Sequence, residues 1–468
     1  MHGGSALRYI PLMHNEVAFR LNGAKVALTD SPPTESLLRW LKRHALTGTK
    51  EGCADGDCGA CTVAIVEADA AGQRHYRAVN SCLLPLGALS GREVVTVEHL
   101  ADGADLHPVQ RALVEASGSQ CGYCTPGFVM SLFAGFYAGE LDDATTEGNL
   151  CRCTGYAPIR RATRALCGMQ PGRDRFAAAL QGAPEPCPAT ALGKYFLPTE
   201  IATAIALKRA HPGSRWIAGA TDLGVELSRG RADATAWIAL DRIDALRRIS
   251  ADEDETVIGA AASLASIERT LGGRIPALDQ MLRWFAARQV RNRATFGGNL
   301  GTASPIGDLL PVLLALDARI ELEGPGGRRM LAAEDYFTGY RETVREEDEL
   351  IVAVRIPVRG WRTAAYKVAK RQSDDISIVA AVFALGLDEA SRVVHVRLAY
   401  GGVAAMPLRA RAVEDFLLGR RLDETTLTQA AGLLGEAFTP LSDHRAGADY
   451  RRALCANLFL QFVAEHAS

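Results

Sequence analysis

Apolar and polar residues alternate in short runs from Val17 to about Val97: VAFRLNGAKVAL, ACTVAIVEA, HYRAVNSCLLPL and EVVTVEHL. A period of two is the pattern of half-buried strands. The Asn-Gly inside the first run predicts a hairpin, because both residues accept the positive φ of a tight turn. ESLLRWLKRHAL spaces its apolar residues along one helix face. A small mixed α/β domain is expected here. From about His107 the period lengthens, and PVQRALVEAS, TPGFVMSLFAGFYAG and PIRRATRALCGM are predicted helices, two of them opening with proline near the first turn.

QGAPEPCPATALG, rich in Pro, Ala and Gly, predicts an interdomain linker. From Lys194 onward, helical stretches alternate with apolar strands such as RWIAGA and TVIGAA, the signature of an α/β domain. Near Pro357 the pattern changes to three strands, RTAAYKVAK, ISIVAAVFALGL and VVHVRLAYGGV, followed by two expected helices. The expected divisions are 14–98, 99–172, a linker at 173–192, 193–357 and 358–468.

The chain has 468 residues, too many for one core. Its 52 basic and 54 acidic residues leave a formal charge of −2, which argues against a general nucleic-acid binder. The N-terminus has no continuous apolar core of a secretion signal, and no apolar run reaches the ~20 residues of a bilayer span. A cytoplasmic protein with no membrane contact is expected. In that compartment clustered thiols read as metal ligands or redox groups.

Of 11 cysteines, Cys167, Cys187 and Cys455 stand alone and read as buried or inert thiols. Cys53, Cys58 and Cys61, followed by Cys82, have the plant-type spacing that holds a [2Fe–2S] cluster. One loop wraps the cluster, and Gly52, Gly56 and Gly59 allow positive φ and let backbone N–H groups approach sulfur. A zinc knuckle is the alternative, though zinc sites more often pair two short hooks. Cys121 and Cys124 lie directly before a predicted helix, and Cys151 and Cys153 shortly before another. Two helix N-termini aimed at one place favour an anionic thiolate cluster. By itself this second set also suits zinc.

WIAGATDLG reads as strand, glycine turn and polar helix start, able to cradle a pyrophosphate or simply an ordinary turn. TFGGNLGTASP supplies backbone and hydroxyl donors and little core. No G-x-G-x-x-G follows a strand, so no Rossmann site is offered.

LTGTKEGCADGDCGACTV, LHPVQ, GSQCGYCTPGFVMS and GNLCRCTGYAPI together resemble the iron–sulfur region of xanthine dehydrogenases and related molybdenum hydroxylases. WIAGATDLGVE and WFAARQVRNRATFGGNLGTASPIGDLLPVLLAL resemble that family's FAD-binding stretches. The resemblance runs from about Val17 to the end, leaving the first 13 or so residues as an arm outside it. It departs at Asp55, where the family leads one to expect Glu, a change outside the ligands.

The resemblance implies a multidomain α+β fold: a ferredoxin-like [2Fe–2S] domain, a four-helix [2Fe–2S] domain, an α/β FAD-binding domain and an α+β C-terminal subdomain. It implies Cys53, Cys58, Cys61 and Cys82 for one cluster, and Cys121, Cys124, Cys151 and Cys153 for the other. Gln120 matches a glutamine that contacts molybdopterin on the catalytic part. FAD contacts fall on Trp216, Ile217, Ala218, Gly219, Ala220, Thr221, Asp222 and Leu223, and on Phe285, Thr295, Gly297, Gly298 and Asn299. They continue with Thr302, Ser304, Asp308, Ile351 and Lys367. Tyr340 and Asp374 are placed near the nicotinamide of NAD⁺.

After the flavin region nothing of the size of the family's molybdenum-binding part remains. The chain is therefore expected to be a small subunit, without the substrate-oxidising residues. Its expected partner is a large subunit carrying the molybdenum cofactor, with two copies of each. Arg160, Arg161 and Arg164 read either as a solvated helix face or as part of that contact. Three rival functions stay open: the equivalent subunit of an aldehyde or N-heterocycle hydroxylase, a free-standing NADH:acceptor flavoprotein, and a zinc-binding module.

Overall fold

The computed structural model describes residues 17–28, 31–69, 72–183 and 190–467. The expected N-terminal arm, Cys187 and the middle of the expected linker lie outside the described residues.

The Asn-Gly hairpin joins Val17–Leu21 to Ala24–Leu28, with Asn22 at φ 54° and Gly23 at φ 81°. Two successive positive φ values are what a type I′ turn needs. Both strands enter a five-stranded mixed sheet in the order Ala24–Leu28, Val17–Leu21, Glu93–Val95, Thr62–Ala68, Arg74–Asn80. The helix Leu37–Arg43, capped by Ser36 accepting the Arg39 N–H, covers one face. Along Thr62–Ala68, Val63 and Ile65 join that core, while Ala64 and Val66 face the helical region. Burial on both faces explains why ACTVAIVEA is apolar almost throughout.

Four helices follow: Pro108–Glu115, Thr125–Ala138, Ala157–Leu166 and Arg175–Gln181. Thr125–Ala138 runs through a core shared with the sheet. The fourth helix arises within the span expected as linker. Asp174 caps it, and Phe176 packs edge-on against Tyr76 and Phe133.

Besides a short hairpin of Phe337–Gly339 and Glu342–Thr343, the described part of the flavin region holds two larger sheets. One has the strands Ala191–Leu192, Tyr195–Phe196, Trp237–Ala239 and Arg215–Ile217, in that order, and its last three strands are parallel. The other is antiparallel, in the order Ile249–Ala251, Glu255–Gly259, Leu350–Pro357, Arg319–Gly324, Gly327–Ala332. The C-terminal region is a four-stranded antiparallel sheet of Arg362–Val368, Val379–Leu387, Val393–Gly401 and Leu408–Arg409. Three helices rather than two close the chain: Arg411–Leu417, Glu424–Glu436 and Ala448–His466. The extra one is short and fastened by buried Glu414, which accepts from the Leu398 N–H and from Arg409. Among the described residues no helix is long and apolar enough to cross a membrane.

Cores cross the expected boundaries. Leu192, Tyr195, Ile217 and Trp237 pack with the first sheet, and Ala380, Val382 and Ala399 pack with the flavin region. The regions therefore meet in fixed register, which positions the sites below.

Candidate functional site

The first cysteine loop is shaped by glycine. Gly56 and Gly59 take φ of +91° and +66°, as their left-handed turns require. Gly52 serves differently: a Cβ there would lie 2.6 Å from Cys58 Sγ. Backbone N–H groups of Asp57 and Cys58 donate to Cys53 Sγ, and that of Cys53 to Cys58 Sγ, each at 3.3 Å. Cys82, just beyond Arg74–Asn80, brings its sulfur to 3.3 Å from that of Cys61, and both residues are buried. The sulfurs form two pairs, 53 with 58 and 61 with 82, close enough for the charge of Cys58 to act on Cys61 and that of Cys53 on Cys82. The Cys53 thiol, donating to Cys58, holds it down to about 6. Paired sulfurs with backbone donors suit a two-iron cluster, whereas zinc gathers four sulfurs on one ion.

The second set has the same form. Cys121 pairs with Cys153 and Cys124 with Cys151, each pair drawing one thiol from each loop. Cys124 is the N-cap of Thr125–Ala138. Thr154 donates its N–H to Cys151 Sγ at 3.5 Å, and the Cys151 N–H donates to the Tyr156 hydroxyl at 3.0 Å. Cys121, Cys153 and Gln120 are exposed, as are Arg160, Arg161 and Arg164. Of the lone cysteines, Cys167 is exposed and Cys455 buried.

The two loops touch. Leu150, next to Cys151, donates its N–H to the Cys58 carbonyl at 3.0 Å, and Asn149 Nδ2 donates to the Gly59 carbonyl at 3.0 Å. A Cβ on Gly59 would lie 2.0 Å from the Gly148 carbonyl oxygen, so the contact admits no side chain there.

A cleft of about 1240 Å³ opens between the flavin and C-terminal regions. Every residue expected to contact FAD lines it except Ile217. Strand alternation turns Ile217 the other way, into the core shared with the first sheet. Gly219 and Gly297 form close-packed walls, since a Cβ would meet the Arg293 carbonyl oxygen at 1.8 Å and that of Ala260 at 2.7 Å. Thr295 accepts the Gly298 N–H and caps Phe296–Thr302, and Thr302 Oγ1 donates to Asp222 at 3.1 Å. Asn299 Oδ1 is buried with no protein partner, an acceptor free for a bound group. Lys367 donates to Asp308 at 2.8 Å, and Ser377 to the other oxygen of that carboxylate at 2.5 Å. The room, the unpartnered acceptor and the glycine walls fit a flavin dinucleotide.

Asp374 also lines the cleft, at φ 50° and buried, and burial first and Asp57 second push its carboxyl up to about 7. Tyr340 does not line the cleft. It is 63% exposed, and Arg341, at φ 57°, lines the cleft in its place. Asp55 and Asp57 of the first cysteine loop line it too, which nothing in their local sequence announced. Asp55 pairs with Arg229 at 2.8 Å and Asp57 with Arg371 at 3.3 Å. The departure at residue 55 is thus an ion pair between the cysteine loop and the flavin region.

Four family models match in succession: a 2Fe-2S iron-sulfur cluster binding domain at 19–86 and a [2Fe-2S] binding domain at 96–164. The FAD binding domain in molybdopterin dehydrogenase matches 190–359, and the CO dehydrogenase flavoprotein C-terminal domain matches 364–466. The chain is 32% identical over 520 residues to a xanthine dehydrogenase of Emericella nidulans, covering 95% of this chain and 38% of that protein. A xanthine dehydrogenase/oxidase of Gallus gallus is 32% identical over 544 residues, covering 97% of this chain and 40% of that protein. The chain thus spans about two fifths of the length of these relatives. Among solved structures, a Cu,Mo-CO dehydrogenase matches with TM-score 0.55 and 30% identity, over 58% of this chain and 97% of that one. Quinoline 2-oxidoreductase from Pseudomonas putida 86 matches with TM-score 0.55 and 27% identity, over 58% and 96%. With two [2Fe–2S] domains leading to an FAD-binding domain, this chain belongs to the molybdenum hydroxylase family.

Proposed function

We propose that the chain is the electron-transfer subunit of a xanthine dehydrogenase, working in the cytoplasm with a large subunit that carries the molybdenum cofactor. Two copies of each form the expected assembly. Electrons from hypoxanthine or xanthine oxidation on the partner would pass through both [2Fe–2S] sites to FAD and on to NAD⁺. When bound, the clusters supply one-electron carriage, and the flavin couples it to two-electron hydride chemistry.

The observation that carries this reading is the spatial order of the sites. Cys121 and Cys153 are exposed, with Gln120 beside them, where a partner can approach. Leu150 joins that loop to the Cys58 carbonyl, and Asp55 and Asp57 of the inner loop reach the cleft. The chain's work is to hold three groups in line, with backbone N–H groups on sulfur and the Lys367–Asp308–Ser377 network at the cleft. On this reading the eight cysteines are the cluster ligands, the cleft residues hold FAD, and Asp374 lies nearest the nicotinamide.

The test is to isolate the chain anaerobically from its native cell with whatever binds it, add xanthine and follow the visible spectrum. Bleaching of iron–sulfur and flavin bands supports the purine assignment. Bleaching by NADH but not xanthine removes it and favours an N-heterocycle substrate, the class that similarity to quinoline 2-oxidoreductase suggests. NADH-dependent dye reduction with no second chain present would favour the free-standing flavoprotein.

A further inference from the structure

Gln289 lies in the flavin region, yet its amide is buried at the junction of the two cysteine loops. Nε2 donates to Ser131 Oγ at 3.0 Å and to Asn149 Oδ1 at 3.1 Å. Ser131 Oγ donates to the same Asn149 oxygen at 2.6 Å. With its oxygen so held, Asn149 turns its Nδ2 to the Gly59 carbonyl at 3.0 Å. The next residue, Leu150, donates its N–H to the Cys58 carbonyl at 3.0 Å. A Cβ on Gly148 would lie 2.2 Å from Gln289 Oε1, so the amide is also packed against the loop backbone.

We propose that Gln289 is a positioning residue for electron transfer between the two iron–sulfur sites, holding Asn149 so that the Leu150 N–H stays on the Cys58 carbonyl. This rests on the assignment of both cysteine sets to clusters. The step involves one electron, which leaves one reduced cluster and reduces the other; no bond forms or breaks. NADH, acting through the flavin, is the reductant in the test. An apolar side chain in place of Gln289 leaves Asn149 Oδ1 with one donor instead of two and loosens the amide, which Ser131 and the Nδ2 bonds to the Gly59 carbonyl and Thr62 Oγ1 alone then hold. Donor and acceptor sites then lose their fixed separation, while the cysteines and the cleft keep their own contacts.

The experiment uses the full chain with its cofactors, as wild type, Gln289→Met and Ser131→Ala. Gln289→Met keeps the volume and removes the donors. Ser131→Ala is the milder change, should Gln289→Met fail to fold. Iron, sulfide and flavin contents are measured first, then rapid-freeze paramagnetic resonance follows each cluster after mixing with NADH. The expected result is normal cofactor content and unchanged reduction of the Cys53 cluster. Reduction of the Cys121 cluster should slow several-fold in Gln289→Met and less in Ser131→Ala. The magnetic interaction between the two reduced clusters should also weaken or broaden. Wild-type rates and an unaltered interaction in either folded variant would overturn the role of Gln289. Wild-type chain lacking two iron–sulfur clusters would instead overturn the reading on which it rests.

Discussion

A four-member charge network across the first sheet and the flavin region gives the firmest stability prediction. Arg92 Nη2 lies 2.9 Å from Asp241, and Arg293 lies 3.0 Å from Glu67 and 3.2 Å from Asp241. Arg92 also bonds Glu67. The side chains of Arg293 and Asp241 are 7% and 12% exposed, so two guanidiniums and two carboxylates balance in a largely dry junction. Asp241→Asn leaves one uncompensated positive charge there. A contact at about 4 Å is worth roughly 4 kcal/mol at an effective dielectric of about 20. Regained hydration offsets part of that, and breaking a buried pair by removing one partner costs about 3–5 kcal/mol in practice. At about 2–4 °C per kcal/mol for a unit of this size, the first thermal transition should fall by roughly 6–20 °C.

Calorimetry across pH checks both size and sign. Burial pushes Glu67 and Asp241 up, but Arg92 and Arg293 outweigh it, and both carboxyls end below their ordinary values of 4.5 and 3.8. Groups depressed on folding stabilise the chain above their unfolded pKa and lose that contribution as pH falls through the folded one. Wild type has more to lose in acid, so the gap to Asp241→Asn should narrow below pH about 4. A gap at neutral pH below about 2 °C, or one that widens in acid, would refute the reasoning.

Three further outcomes are expected. Gly59→Ala forces a Cβ to 2.0 Å from the Gly148 carbonyl oxygen at φ +66°, so both cysteine loops should part and iron per chain should fall; full iron content would count against it. Lys367→Met leaves the buried Asp308 carboxylate with Ser377 alone, a loss of about 3–5 kcal/mol that should appear as flavin released during gel filtration. Asp374 is raised by burial first and Asp57 second, with Glu147 adding and Arg371 and Lys367 opposing, to about 7 from 3.8. A carboxyl raised on folding loses stability as pH climbs between those values, so Asp374→Asn should melt increasingly above wild type from pH about 4 to about 7, with the gap level above that; a pH-independent gap would contradict this.

What could be read from the sequence is what is carried by contiguous residues. Asn22-Gly23 must turn the chain wherever it sits, and the Cys53 loop carries three thiols and its three glycines within ten positions. Alternation along ACTVAIVEA likewise implied a strand, half-buried on that pattern, though the structure buries both of its faces. Two kinds of residue at the sites stand apart from that reading. Ile217 belongs to the matched stretch, but a period of two sends it away from the cleft that its neighbours line, a distinction alternation itself could have supplied. Asp55, Asp57 and Gln289 could not have been found that way. Their partners lie 174, 314 and 140 positions away, and in isolation an acidic pair in a loop or a glutamine in a short helix reads as solvated surface. Only the packing of whole regions gives them neighbours. The same packing joins cysteine loop to cysteine loop and cysteine loop to cleft, so the residues least visible in the sequence hold the sites in order.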